Sequence, residues 1–211
     1  MRLWIVPVLV VFALSGCGGS SPSSGPSAAA APPTNRPDIS LPAGPLRDLV
    51  PATADLPPGM VAILSGSGVR DLGAIADYSA DPAAARMLLA QHGFRAAYTG
   101  QYADPLTGRV LSVVVTQFAT AAGATADLTG DLTASAGTAI PGAAVGEQSD
   151  VRRQPLPAAS APPSAARELV TVRFRQGAYT WLVAYGAAPP ADAEVALGVA
   201  RVLAARAATP A

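Results

Sequence analysis

Few side chains in this sequence are equipped for chemistry, and they are thinly spread. There is one cysteine, Cys17, and one histidine, His92. All fourteen cationic side chains are arginine, and no lysine occurs. That excludes a Schiff-base lysine, a P-loop lysine and a Ser-Lys dyad. The bias matches the richness in Ala and Pro that GC-rich codon usage produces. A metal site needs a cluster of His, Cys, Asp or Glu, and one histidine with scattered acids does not make one. Asp127 and Asp131 stand four apart and would share a helix face, which suits paired carboxylates and equally a solvated face. His92 is suited to act as a general base or ligand, but no acid or second histidine is near it in sequence. A residue near a helix C-terminus, where a cation is tolerated, accounts for it as well. Ser-His-Asp catalysis would have to use His92, and no nucleophile elbow supports it. The expectation is a chain with no catalytic residues, no cofactor and no metal, in which a hydrolase built on His92 is the minor alternative.

Cys17 then needs another explanation. An intramolecular disulfide needs a second cysteine. A buried core thiol would not sit between an apolar run and the Gly/Ser tract that follows. The chain opens with Arg2 and an apolar run from Leu3 to Leu14. That is about a dozen residues, against roughly 20 for a membrane-spanning helix. A positive start, a short apolar run and small residues are the layout of a secretory signal peptide.

Leu14-Ser15-Gly16-Cys17 resembles the lipobox of bacterial lipoproteins: an aliphatic residue, two small ones, then cysteine. The resemblance implies cleavage before Cys17 and a diacylglyceryl thioether on its sulfur, leaving residues 1–16 as the signal peptide. The chemistry agrees, since thiolate is a strong nucleophile near neutral pH and more than one acyl chain is needed for stable anchoring. The implied location is the extracytoplasmic face of the cell membrane, with the membrane as partner through the lipid on Cys17.

Residues 17–45 are Gly, Ser, Pro and Ala with almost no large apolar residue. Such a stretch cannot bury enough surface to offset its ordering entropy, and it is read as a disordered tether. A single domain is expected over 46–207.

Its elements follow from pattern. Leu46 to Val50 suits a helical turn ended by Pro51, and Leu56-Pro57-Pro58-Gly59 a turn. Val61 to Leu64 is a short strand, and the glycines of 65–73 are read as a loop. Asp81 caps a helix with Pro82 at its first position and Gly93 just beyond its end. Phe94 to Tyr102 alternates, with Phe94, Ala96, Tyr98, Gly100 and Tyr102 on one face. Residues 109–118 form its β-branched hairpin partner, and a helix weakened by Gly123 and Gly130 follows. Residues 144–147 with their neighbours are read as a short strand and 152–167 as a Pro-rich loop. A second hairpin over 168–186 leads into a helix from about Pro190 to Arg206, with Val195, Val199, Val202 and Leu203 as its apolar stripe. The fold class is α+β: an antiparallel sheet of about five to six strands carrying two to three helices. Hairpin-then-helix occurs twice, which needs no duplication, since helices commonly cover antiparallel sheets.

This pattern resembles the small α+β domains of actinobacterial envelope lipoproteins. The matching residues are Ala54-Asp55-Leu56-Pro57-Pro58-Gly59, Gly93-Phe94 and the run from Gln117 to Ala124. The resemblance implies a location more than an activity. Zero formal charge and no long charged run argue against a nucleic-acid partner. The function expected is a non-catalytic binding or sensing module of the envelope, holding a protein or a small hydrophobic ligand; the alternative is a structural component of an envelope complex. Candidate surfaces are Arg173 and Arg175 with Arg95, and the aromatic group Tyr98, Tyr102, Trp181 and Tyr185. An ordinary strand face and an ordinary core explain the same residues.

Overall fold

The computed structural model describes residues 41–134, 136–156 and 167–208. The expected signal peptide, Cys17, most of the expected tether and the middle of the expected Pro-rich loop lie outside the described residues. Leu41, five residues before the expected domain start, already belongs to the main apolar core.

Eight strands make one antiparallel sheet. They are β1 (Val61–Ala62), β2 (Gly68–Arg70), β3 (Phe94–Ala103), β4 (Val110–Phe118), β5 (Thr138–Ala139), β6 (Gln148–Leu156), β7 (Arg167–Gln176) and β8 (Tyr179–Ala187). The helices are α1 (Leu72–Ala76), α2 (Pro82–Gln91), α3 (Ala121–Ala134) and α4 (Ala193–Ala208), joined by 3-10 turns at 47–49, 53–55 and 64–66. The order across the sheet is β1-β3-β4-β8-β7-β6-β5, and β2 also pairs with β3. The α+β class stands, with a larger sheet than expected.

The extra strands come from places where local chemistry misleads. Residues 65–73, read as a loop, hold a 3-10 turn, β2 and the start of α1. Asp71 caps α1 by accepting from the Ala74 N–H at 2.8 Å. The strand expected around 144–147 starts just after those residues, at Gln148. The neighbouring strands are β5 and β6, and β6 continues through Pro155 to Leu156. Proline is tolerated there because β6 lies near the sheet's edge, where only two-residue β5 pairs with its outer side. The elements with strong local signals match. Asp81 accepts from the Ala84 N–H at 3.0 Å, Pro82 opens α2, and Gly93 beyond its end has φ +79.

Each face of the sheet carries its own core. On one face α4 lays Ala196, Leu197, Val199, Ala200 and Leu203 over Val113, Val172, Val183 and Phe174. Val202, assigned to that stripe, is instead 41% exposed. On the other face Phe118, Phe94, Ala124, Leu89, Ala85 and Ala76 join α1, α2 and α3. A register shift between Phe94 and Ala96 turns Phe94 to this second face, away from Tyr98. The two hairpin–helix units therefore place their helices on opposite faces. The rotation that carries β3-β4 onto β7-β8 keeps the faces of the sheet, so no rotation superimposes the whole units. Their likeness is one of helices covering a sheet.

Candidate functional site

The aromatic group is spent on the fold. Tyr98, Tyr102, Trp181 and Tyr185 are all buried on the α4 face. Trp181 stacks on Phe174 with ring centroids 4.9 Å apart. Three polar tips catch main-chain carbonyls of the entering segment. Tyr98 Oη donates to Pro42 O at 2.6 Å, Trp181 Nε1 to Leu49 O at 3.0 Å and Tyr102 Oη to Pro51 O at 2.7 Å. Burial is the main cause that raises the pKa of both tyrosines, so both stay neutral donors. Arg206 completes the clasp from α4. It donates to the Asp48 and Val50 carbonyls at 3.1 Å each and to Asp55 Oδ2 at 2.7 Å. No sequence signal points to this clasp, because its partners are main-chain atoms far away in the chain.

The arginine surface is divided. Arg173 and Arg175 lie on the α3 face of β7, opposite Leu182 and Thr180 of β8. Arg95 is on β3, three strands away across β4 and β8, or about 14 Å at ordinary strand spacing. Arg175 Nη1 pairs with Glu147 at 2.6 Å, and Arg173 and Arg152 are engaged as well. So Arg173, Arg175 and Arg95 do not form one cationic site.

His92 does gain an acid. Its Nδ1 lies 3.7 Å from Asp127 Oδ1, and both side chains are largely buried. Nδ1 makes no hydrogen bond. Thr180 Oγ1 donates weakly to Asp127 Oδ2 at 3.4 Å. Asp127 is therefore no solvated member of an Asp127/Asp131 pair; it faces inward over β8. The sequence hides this because α3 begins 29 residues after His92, and Gly123 alone marks the approach. A Cβ at Gly123 would fall onto the His92 carbonyl, so glycine is what lets α3 close on the end of α2. Chemically the order is Thr-Asp-His. In a hydrolytic triad the histidine stands between acid and nucleophile. Here the hydroxyl sits on the acid, and this geometry passes no proton from Thr180 to His92.

A second polar cluster holds the β3–β4 turn. Asp104 is 2% exposed. Its carboxylate accepts from Arg109 Nη2 at 2.6 Å, Thr107 Oγ1 at 2.7 Å and the Leu106 N–H at 3.0 Å. These bonds, Arg109 first, hold its pKa well below the usual carboxylate range. Arg109 also donates to the Pro58 carbonyl at 2.7 Å, and a Cβ on Gly59 would run into Asp104. The cluster ties the β3–β4 turn to the Pro58–Gly59 turn.

What remains open is the α3 face away from α3 itself. Gln101, Ser112, Ala184, Thr171 and Arg152 form one cross-strand row there. Gln101 Nε2 donates to Ser112 Oγ at 2.8 Å, and Arg152 Nε to Asp150 Oδ2 at 2.7 Å. Ala184 at the centre is buried, while the four polar side chains are half-exposed. A small residue between longer polar ones makes a shallow floor with donors and acceptors on both sides. Among the described residues no group of three or more His, Cys, Asp or Glu side chains could hold a metal ion. Nor is any described helix long and apolar enough to cross a membrane.

No known family and no curated protein matches the chain. Among solved structures it is similar to the extracellular domain of PknH from Mycobacterium tuberculosis. Identity is 10%, the match covers 74% of this chain and 93% of that one, and the TM-score is 0.38.

Proposed function

We propose that the chain is an extracytoplasmic lipoprotein, anchored by a diacylglyceryl group on Cys17 and carrying its α+β domain as a non-catalytic binding or sensing module. The observation that carries the anchor is Leu14-Ser15-Gly16-Cys17 behind an apolar run too short to span a bilayer. Residues 18–40 are then the tether, and the clasp of Tyr98, Trp181, Tyr102 and Arg206 fixes where it joins the domain. The row Gln101, Ser112, Thr171 and Arg152 is the surface on offer to a small polar or amphipathic group. A structural role in an envelope complex would use the same face against a protein.

Two measurements test the reading. Wild-type protein expressed in a bacterium partitions with detergent and carries the lipid mass, whereas Cys17→Ser stays unprocessed; release of both as soluble protein overturns the anchor. Native mass spectrometry of the detergent-extracted protein separates a bound small molecule from a protein partner. A hydrolase acting through His92 would lose its activity on ester or amide substrates in His92→Ala.

A further inference from the structure

Arg70 on β2 is a cation left without an anion. Among the described residues it meets no carboxylate, and its guanidinium makes one hydrogen bond, from Nη2 to the Gly66 carbonyl at 2.7 Å. Its Nε is buried and has no partner. Arg70 pairs with Ala97 and so shares the α3 face of the sheet with Thr99 and Gln101. Gly66 lies against the Gln101 side chain, since a Cβ there would run into Gln101 Cγ. The guanidinium is thereby held beside the Gln101 amide, which donates to Ser112 Oγ. Thr99, between Ala97 and Gln101 on this face, is fully buried, and its hydroxyl bonds to nothing. The open polar groups are mostly donors: the remaining guanidinium N–H groups, the second amide hydrogen of Gln101 and the Ser112 hydroxyl. This end of the face is short of acceptors, and unmet donors cost stability until an acceptor reaches them.

Beyond Ser112 the same face turns apolar. The row continues through Ala184, 3% exposed, to Thr171. On one side of it Val110 and Leu169 close over Gly186, where a Cβ would run into Val110. On the other side Val114 and Leu182 are cross-strand partners, both half-buried. None of these four aliphatic side chains belongs to either apolar core. They wall a trough whose floor is Ala184 and whose one end is the donor cluster. From Gln101 to Thr171 the trough crosses three strand spacings, about 14 Å. Deepening the binding-module reading above, and resting on it, we infer that this trough binds a fatty acid, with the carboxylate on Arg70, Gln101 and Ser112 and the chain along Ala184. Charge selects the head group. Arg152 and Arg173, at the opposite end, are already engaged. The trough therefore offers one guanidinium, whose planar fork matches a carboxylate and whose single charge balances a monoanion rather than a phosphate dianion. The chain in turn covers aliphatic walls that neither core covers.

The test uses full-length protein made in a bacterium, extracted and reconstituted into phosphatidylcholine vesicles, where no detergent competes. The probe is dodecanoate with a photoreactive diazirine at its chain end. Its control is the matching dodecyl alcohol, which has the same chain and no charge. On irradiation dodecanoate is expected to label β7 and β8 near Thr171 and Ala184, and unmodified dodecanoate to compete the label away. Arg70→Gln is expected to lower the label at least about tenfold, the loss of a charge-assisted pair. Arg70→Lys, which keeps the charge without the fork, recovers part of it. The alcohol labels wild type no better than dodecanoate labels Arg70→Gln. That comparison of acid with alcohol on wild type needs no variant, so it decides the matter even where Arg70→Gln fails to fold. Equal labelling by acid and alcohol, or a label placed elsewhere in the chain, overturns the carboxylate site. Protection of this face that rises with protein density rather than with dodecanoate assigns it to a second copy and also overturns the site. These results leave the binding-module reading standing; it fails separately, when native mass spectrometry finds the extracted protein bare of small molecule and partner alike.

Discussion

Arg206, in the last turn of α4, closes on Asp55 at 2.7 Å, and the two residues are 151 positions apart. The same guanidinium spans the Asp48 and Val50 carbonyls. Asp55 is already engaged, since it accepts from the Ala52 N–H at 2.8 Å. The contact ties the last helix to the entering segment in one planar fork. Arg206→Ala should therefore cost about 1.5–3 kcal/mol, the range for hydrogen bonds to charged groups. Arg206→Lys should recover less than half of that, because an ammonium cannot span three acceptors as a fork does. Urea unfolding of the two variants measures both numbers.

The aromatic clasp should be graded by burial. Tyr102 and Trp181 reach carbonyls in a buried or half-buried part of the segment, whereas Pro42 is exposed. Tyr102→Phe strands the carbonyl of buried Pro51 and should cost about 1–2 kcal/mol. Tyr98→Phe leaves a carbonyl that water can reach and should cost less than about 0.5 kcal/mol. Limited proteolysis gives a second readout. Tyr98→Phe should speed cleavage near residues 42–46 without altering global unfolding, and unchanged cleavage would mean that Tyr98 does not hold the entry point.

The sequence predicted the elements whose signals are local. The Asp81-Pro82 start and Gly93 end of α2, and the two β-branched hairpins, read correctly because each is decided within a few residues. The elements it missed are decided by partners far away. β2 has three residues and exists only because β3 offers it an edge. β6 keeps its pairing through Pro155 because β7 supplies the other side. The site was less legible than the fold. His92 showed no acid nearby because Asp127 arrives on a later helix, and the buried aromatics were indistinguishable from a binding surface until their carbonyl partners were seen.

Asp104 makes stability depend on acid. Its pKa is lowered in the folded protein, chiefly by Arg109. A lowered carboxylate contributes stability that is fully present above its unfolded value, about 3.9, and is lost as pH falls toward the folded value. Asp104→Asn removes that contribution while keeping the shape. The variant should melt below wild type at neutral pH, and the gap should close as pH falls below about 4. Thermal unfolding followed from neutral to acid pH checks this, and a gap that is constant across the range would mean that the Asp104–Arg109 pair is not what the charge supports.

Two glycines in one helix should respond to alanine with opposite signs. In an exposed helix interior, Gly→Ala is worth about 0.5–1 kcal/mol in favour of alanine. Gly130 has open space where its Cβ would go, so Gly130→Ala should stabilise by about that amount. At Gly123 the new methyl would run into the His92 carbonyl, while Phe118 Cβ would lie at ordinary contact distance, 3.5 Å. Relief would have to come from α3 lifting off the end of α2, which also carries Asp127 away from His92. Gly123→Ala should therefore destabilise by about 1–3 kcal/mol despite its better helix propensity. The pair shares one helix and one chemical change, so helix propensity cancels and the difference reports the close approach alone. If both variants were stabilised, α3 would have slack against α2, and the His92–Asp127 contact would not be fixed by packing.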